Sequence, residues 1–84
     1  MKYQTMKLEQ KPSRYGGHFY YLFLKREDGA SFRTCLYPNM RNYGRWASVV
    51  ESVQRGTHVW LTGLVEKGKG MIDADSQVLT TGPV

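Results

Sequence analysis

The sequence is poor in the residues that build disulfide frameworks, metal centres and membrane spans. It has one cysteine, Cys35, so no internal disulfide can form and a reducing compartment is expected. His18 and His58 are its only histidines. With that one thiol they form no HxxxH or CxxC pair, so no metal site and no other cofactor is expected. No apolar run approaches membrane-spanning length. The N-terminus, Met1 to Lys7, lacks the apolar stretch of a signal peptide. A soluble, cytoplasmic protein with no membrane partner is the expectation. Asp73 and Asp75 fall on one side of a strand with no base or nucleophile patterned beside them, and read as a polar face. Gly68-Lys69-Gly70 falls short of a phosphate loop. No catalytic residue is expected, and the chain is not expected to be an enzyme.

Acidic residues are scarce too. Seven Asp and Glu stand against twelve Lys and Arg, a formal net charge of +5 over 84 residues. That length fits a single domain, residues 1–84. Apolar residues make up 40%, enough for one modest core, and aromatics reach 13%, too many for a disordered basic tail. The composition is that of a folded basic domain, the usual footprint of a protein that binds nucleic acid or another anionic surface.

His18 to Tyr37 carries the strongest signal. Two strands rich in aromatic and aliphatic residues flank Glu27-Asp28-Gly29, a turn signature. Two registers compete, and a one-residue slip exchanges the faces. A two-residue turn at Asp28-Gly29 sets Leu24 against Arg33 and points the arginine into the core. An unpaired buried charge there costs several kcal/mol. A three-residue loop with Gly29 left-handed pairs Leu24 with Phe32, Leu22 with Thr34 and Tyr20 with Leu36. The second register gives a consistent core face. The other face then carries Phe19, Tyr21, Phe23 and Lys25 beside Ser31, Arg33, Cys35 and Tyr37. Soluble monomers rarely expose so much aromatic surface without a use for it.

Before the hairpin, Tyr3 to Lys11 alternates as a strand, with Tyr3, Thr5, Lys7 and Glu9 on one side and Met6 and Leu8 on the other. The loop Ser13 to Gly17 offers Arg14 and Tyr15 at its tip. After the hairpin, Trp46, Val49, Val50 and Val53 follow a helical period, which predicts a helix over residues 45–55 stopped by Gly56. Thr57 to Glu66 alternates again, with Val59, Leu61, Gly63 and Val65 on one face. Lys67 to Gly70 is a basic loop. Met71 to Thr81 reads as a fifth strand with Ile72, Ala74 and Val78 inward, and Thr81 to Val84 as a frayed end. Three strands, a helix and two strands suit an all-β OB-fold, a five-stranded Greek-key barrel with one short helix between strands 3 and 4. In that fold the strand 2–3 face and the strand 1–2 and 4–5 loops form the binding surface for oligonucleotides. The aromatic face and the two basic loops would converge there.

Residues Tyr43 to Val65 resemble the bacterial single-stranded DNA-binding protein family. Tyr43-Gly44-Arg45-Trp46-Ala47 is similar to the family's aromatic-Gly-Lys-Leu-Ala start of the helix, with Arg45 and Trp46 as substitutes. Arg55, Gly56, Val59, Trp60, Leu61 and Gly63 follow its basic-Gly-x-x-Val-aromatic-hydrophobic-x-Gly strand. The resemblance implies base stacking by Trp60, a homo-oligomer (dimer or tetramer) and a role in replication, recombination or repair. The family's glycine-rich linker and acidic tail are not in the sequence, so partner recruitment by that route is not expected. A primosomal replication protein on the same fold also lacks the tail, and a variant of that kind fits equally.

Tyr15, Tyr21, Phe23, Tyr37 and Trp60 are the candidate stacking platforms. Arg14, Lys25, Arg33, Lys67 and Lys69 are the candidate phosphate contacts, and Arg41 and Arg45 would extend the track beside the helix. Rings accept any base and cations meet the backbone, so the expected activity is single-stranded DNA binding with low sequence specificity. RNA is the alternative polymer. A competing reading makes the aromatic face a protein–protein or self-association surface, where Phe19 in particular would suit a subunit interface. Trp46, leading the apolar helical face, is expected in the core.

Overall fold

The structure, a computed structural model, describes residues 1–84. It is all-β with one short helix. β1 (Tyr3–Pro12), β2 (His18–Arg26), β3 (Ser31–Leu36), β4 (Val59–Thr62) and β5 (Leu79–Pro83) form one antiparallel sheet in the order β3-β2-β1-β4-β5. A 3₁₀ turn over Tyr43–Arg45 leads into α1, Ala47–Gln54. No helix is long and apolar enough to cross a membrane.

The β2–β3 hairpin has the expected register. Tyr20 faces Leu36, Leu22 faces Thr34 and Leu24 faces Phe32. The loop closes through the Arg26 N–H to the Ala30 carbonyl and the Gly29 N–H to the Arg26 carbonyl, both 2.8 Å. Gly29 has φ +96°, a left-handed conformation that a β-carbon would oppose.

β1 departs from strict alternation. Its pairing with β2 shifts between Thr5 and Lys7, where Met6 is the extra residue of a bulge. Tyr3 and Thr5 are buried, as one face requires. Beyond the bulge the phase inverts: Leu8 pairs with buried Leu22 and packs on the core, while Lys7 and Glu9 turn outward. The expected grouping of Lys7 and Glu9 with Tyr3 and Thr5 is therefore corrected. A lysine on the core face would have been an unpaired buried charge, and the bulge removes it.

The helix falls where the periodicity puts it, with Val49, Val50 and Val53 buried. Trp46 is fully buried, and its indole N–H donates to the Ala74 carbonyl at 2.8 Å, which satisfies the polar end of the ring. These side chains share one core with Tyr3, Tyr20, Leu22, Leu24, Leu36, Leu61 and Ile72.

The C-terminal third differs from the expectation. β4 stops at Thr62 because Gly63 adopts φ +80°, and Val65 is left exposed. The fifth strand is Leu79–Pro83, not Met71 to Thr81. Asp73 turns the chain instead: its carboxylate accepts the Asp75 N–H at 2.9 Å and its carbonyl accepts the Ser76 N–H at 3.0 Å. The residues read as a frayed end pair with β4, Val59 opposite Pro83 and Trp60 opposite Gly82. Ile72 is buried, and Ala74 and Val78 pack against the core, as expected.

The segment 70–72 joins the far side of the sheet. The Arg33 N–H donates to the Gly70 carbonyl at 2.9 Å, and the Ile72 N–H donates to the Arg33 carbonyl at 2.8 Å. Glu66 bridges Ile72 in turn. The sheet thus curls toward a barrel, with the basic loop 67–70 held against the open side of β3.

Candidate functional site

The outer face of β2 carries an unbroken ladder of rings. Tyr37 stacks on Phe19 with centroids 5.0 Å apart and planes at 23°. Phe19 meets Tyr21 edge to face at 5.2 Å, and Tyr21 meets Phe23 at 6.4 Å. Such contacts favour offset and edge-to-face geometries. The core residues Tyr20, Leu22 and Leu24 anchor the strand from beneath, so the rings stand on a rigid support.

Cations line both sides of the ladder. The Arg33 guanidinium lies 5.7 Å from the Tyr21 centroid, and the Lys7 ammonium 4.8 Å from the Phe23 centroid. Arg33 is also held by its Nε–H, which donates to the Met71 sulfur at 3.3 Å. Lys25 continues the row of β2, opposite Ser31.

At one end, the 13–17 loop and Tyr37 enclose two adjoining hollows. One, of about 410 Å³, is lined by Ser13, Tyr15, His18, Tyr37 and Asn39. The other, of about 400 Å³, is lined by Arg14, Tyr15, Phe19 and Tyr37. Tyr15 is 86% exposed at the loop tip, the freest ring in the molecule. At the side of β3, Lys67 and Lys69 border a hollow of about 260 Å³ that Thr34 and Cys35 also line. The tight turn holding these lysines closes through the Lys67 N–H to the Met71 carbonyl and the Met71 N–H to the Gly68 carbonyl. At the hairpin end, Lys7, Phe23, Lys25 and Ser31 line a fourth hollow of about 380 Å³.

Arg14, Tyr15, Tyr21, Phe23, Lys25, Arg33, Tyr37, Lys67 and Lys69 therefore surround one surface. Trp60 stands apart. It is half-buried on β4, opposite Gln4, which in turn pairs with Lys25, so a row Lys25–Gln4–Trp60 crosses the sheet beside the ladder. Trp60 touches none of the ladder's rings. Arg45 does not extend the track. Its guanidinium donates to the Asp75 carbonyl at 2.9 Å and to the Ser76 carbonyl at 3.5 Å, clamping the turn after Asp73.

Three outward residues of β1 were not among the expected site residues: Lys7, Glu9 and Lys11. They pair with Phe23, Tyr21 and Phe19 respectively, so they flank the ladder along its whole length. The signal for them was the outward phase of β1 after Met6.

The charges divide sharply. The ion pairs are Arg26 with Asp28 at 2.8 Å, Arg26 with Glu66 at 2.7 Å, and Arg55 with Glu51. None lies on the ladder face. Hydrogen bonds from the Arg26 guanidinium, helped by the Ala30 N–H, hold the Asp28 carboxyl down at about 2. The Tyr3 hydroxyl and then Arg26 hold Glu66 below the usual carboxylate range. Burial, and then the hydrogen bond to Glu66, push the Tyr3 phenol up to about 12. The acids of the hairpin tip are thus consumed locally. Lys7, Lys11, Arg14, Lys25, Arg33, Lys67 and Lys69 are left with no carboxylate partner. A hydrogen bond with the Cys35 side chain raises the Tyr37 phenol above its ordinary value.

In comparisons with protein-family models, with curated proteins and with solved structures, none matched the chain.

Proposed function

We propose that the chain binds single-stranded DNA with low sequence specificity, in the service of replication, recombination or repair. The observation that carries this reading is the ladder Tyr37–Phe19–Tyr21–Phe23, bordered by cations that form no ion pair. Single strands offer flat bases and a charged backbone together. Stacking on a ring is worth about 1–3 kcal/mol per base and tolerates any base. Unpaired lysines and arginines add an affinity that falls with salt. A duplex hides its base faces, so it could use only the cations.

We read the curled sheet as the OB-fold Greek-key barrel, with the 13–17 and 67–70 loops as its two binding loops. The bridge from Arg33 to segment 70–72 supports closure, and the position of α1 between β3 and β4 supports the topology. The resemblance of Tyr43 to Val65 to the bacterial single-stranded DNA-binding proteins supports the same assignment.

A homo-oligomer is part of the proposal. β1 pairs with β4 only at Tyr3 and Gln4, so from Lys7 to Pro12 it is paired only with β2. A strand edge of that kind is a template for pairing with a second copy.

The test is a fluorescence-anisotropy titration of labelled oligo-dT, oligo-U and matched duplex across a salt series, with mass by light scattering before and after. Binding of oligo-dT well above duplex, weakening with salt, is the expected result. No binding at low salt, with a stable oligomer that buries Phe19 and Tyr21, would assign the ring face to self-association. Oligo-U bound more tightly than oligo-dT would make RNA the ligand.

A further inference from the structure

Glu9 is out of place on this surface. It is the one carboxylate of the ladder face, half-buried opposite Tyr21, with Lys7 and Lys11 two residues away on either side. It makes neither an ion pair nor a side-chain hydrogen bond. Lys7, the nearest cation beyond the bulge, lies over the Phe23 ring instead. A carboxylate among phosphate-binding cations weakens the very contacts its neighbours make. It can offer only hydrogen-bond acceptors. A base lying on Tyr21 would turn an edge toward it.

We propose that Glu9 is a specificity-determining residue that favours bases with an exocyclic amine or an unobstructed N–H edge over thymine and uracil. The inference rests on the single-strand reading above. Cytosine presents its N4 amine to a carboxylate, adenine its N6 amine, and guanine two adjacent donors on its Watson–Crick edge. Thymine and uracil present one N–H between two carbonyl oxygens, and those oxygens repel a carboxylate. The result is a preference for base class at one position of the track, laid over stacking that is itself indifferent to sequence.

The discriminating pair is oligo-dC and oligo-dT of equal length at neutral pH, because both are pyrimidines and stack alike. The wild-type chain is expected to bind oligo-dC about five-fold more tightly, the scale of one charge-assisted contact to a base edge. Glu9→Gln and Glu9→Ala should bring that ratio to about one, with oligo-dT bound as well as before or better. Far-UV circular dichroism of both variants checks that this outward strand position leaves the fold intact. Equal binding of the two oligomers by the wild type overturns the inference and leaves the single-strand reading standing. So does a preference that survives both substitutions. A uniform gain for both oligomers, with the ratio unchanged, reduces Glu9 to a charge that tempers its lysines. Failure of both oligomers to bind at low salt removes the inference and the reading together.

Discussion

The Lys7 ammonium sits 4.8 Å from the centre of the Phe23 ring, and it does so because β1 takes one extra residue at Met6. The bulge is what lets a single strand bury Tyr3 and Thr5 at its start and Leu8 further on while keeping every lysine outside. The pairing of β1 with β4 stops at Gln4, just ahead of the bulge. The buried Thr5 hydroxyl takes over there by accepting the Val59 N–H at 3.0 Å.

Lys7→Ala should therefore affect binding more than folding. The cation–π contact is exposed, and its loss costs the fold about 0.5–1 kcal/mol. The same change removes one phosphate contact, so the slope of log affinity against log salt should become shallower by about 0.7 for a single strand. Oligo-dT titrations across a salt series, paired with urea midpoints, separate the two effects. An unchanged slope would remove Lys7 from the interface.

The hairpin was legible in the sequence because one alternative was physically expensive. The competing register buried Arg33, and Glu27-Asp28-Gly29 supplied the loop that avoids it. The same reasoning, applied to Lys7, would have revealed the bulge: strict alternation put that lysine beside Tyr3 and Thr5. It was missed because a bulge leaves no composition signal of its own. The last strand was misplaced for a different reason. Met71 to Ala74 alternates well enough, yet Asp73 and Ser76 bind their own backbone and turn the chain before Leu79. The position of Trp60 relative to the rings depended on how β4 pairs across β1, which no local pattern encodes.

Thr34 is fully buried opposite Leu22, and its hydroxyl has no hydrogen-bond partner. An unsatisfied buried hydroxyl costs about 1–3 kcal/mol, whereas an apolar group of the same shape costs nothing of the kind. Thr34→Val should raise stability by about 1 kcal/mol, with β propensity unchanged in direction. Thermal and urea unfolding read this directly. Destabilisation by valine would mean that the hydroxyl is satisfied after all.

The Tyr3–Glu66–Arg26 cluster fixes a pH dependence. The Tyr3 phenol, ordinarily near 10, is pushed up to about 12 by burial and by the Glu66 carboxylate. Between those values the unfolded chain has lost the proton and the folded chain keeps it. Unfolding is then favoured, so stability falls as pH rises through that window and levels off above it. Tyr3→Phe has no such proton to lose. The stability gap between wild type and Tyr3→Phe, measured by urea unfolding, should be full at mildly alkaline pH and shrink steadily as pH rises from about 10 toward 12. A gap of constant size would show that the phenol is not shifted.

Tyr21 and Trp60 make a contrast that decides the path of the bound strand. Tyr21 is an inner rung: it meets Phe19 and Phe23, and Arg33 lies over it. Trp60 is separated from that row by Gln4 and contacts no rung. A strand confined to the ladder would lose about five- to 150-fold in affinity with Tyr21→Ala, the value of one stacked base. With Trp60→Ala it would lose little. A strand that leaves the ladder at Lys25 and crosses β1 toward β4 would lose comparable amounts with either change. The ladder's continuity, with loops bounding one end and one side, favours the confined path, so the expected order of losses is Tyr21→Ala well above Trp60→Ala. Trp46 is buried and bonded to Ala74, so any quenching of indole emission on binding belongs to Trp60. Weak quenching together with a large Tyr21→Ala effect would fix the strand on the rings of β2 and β3.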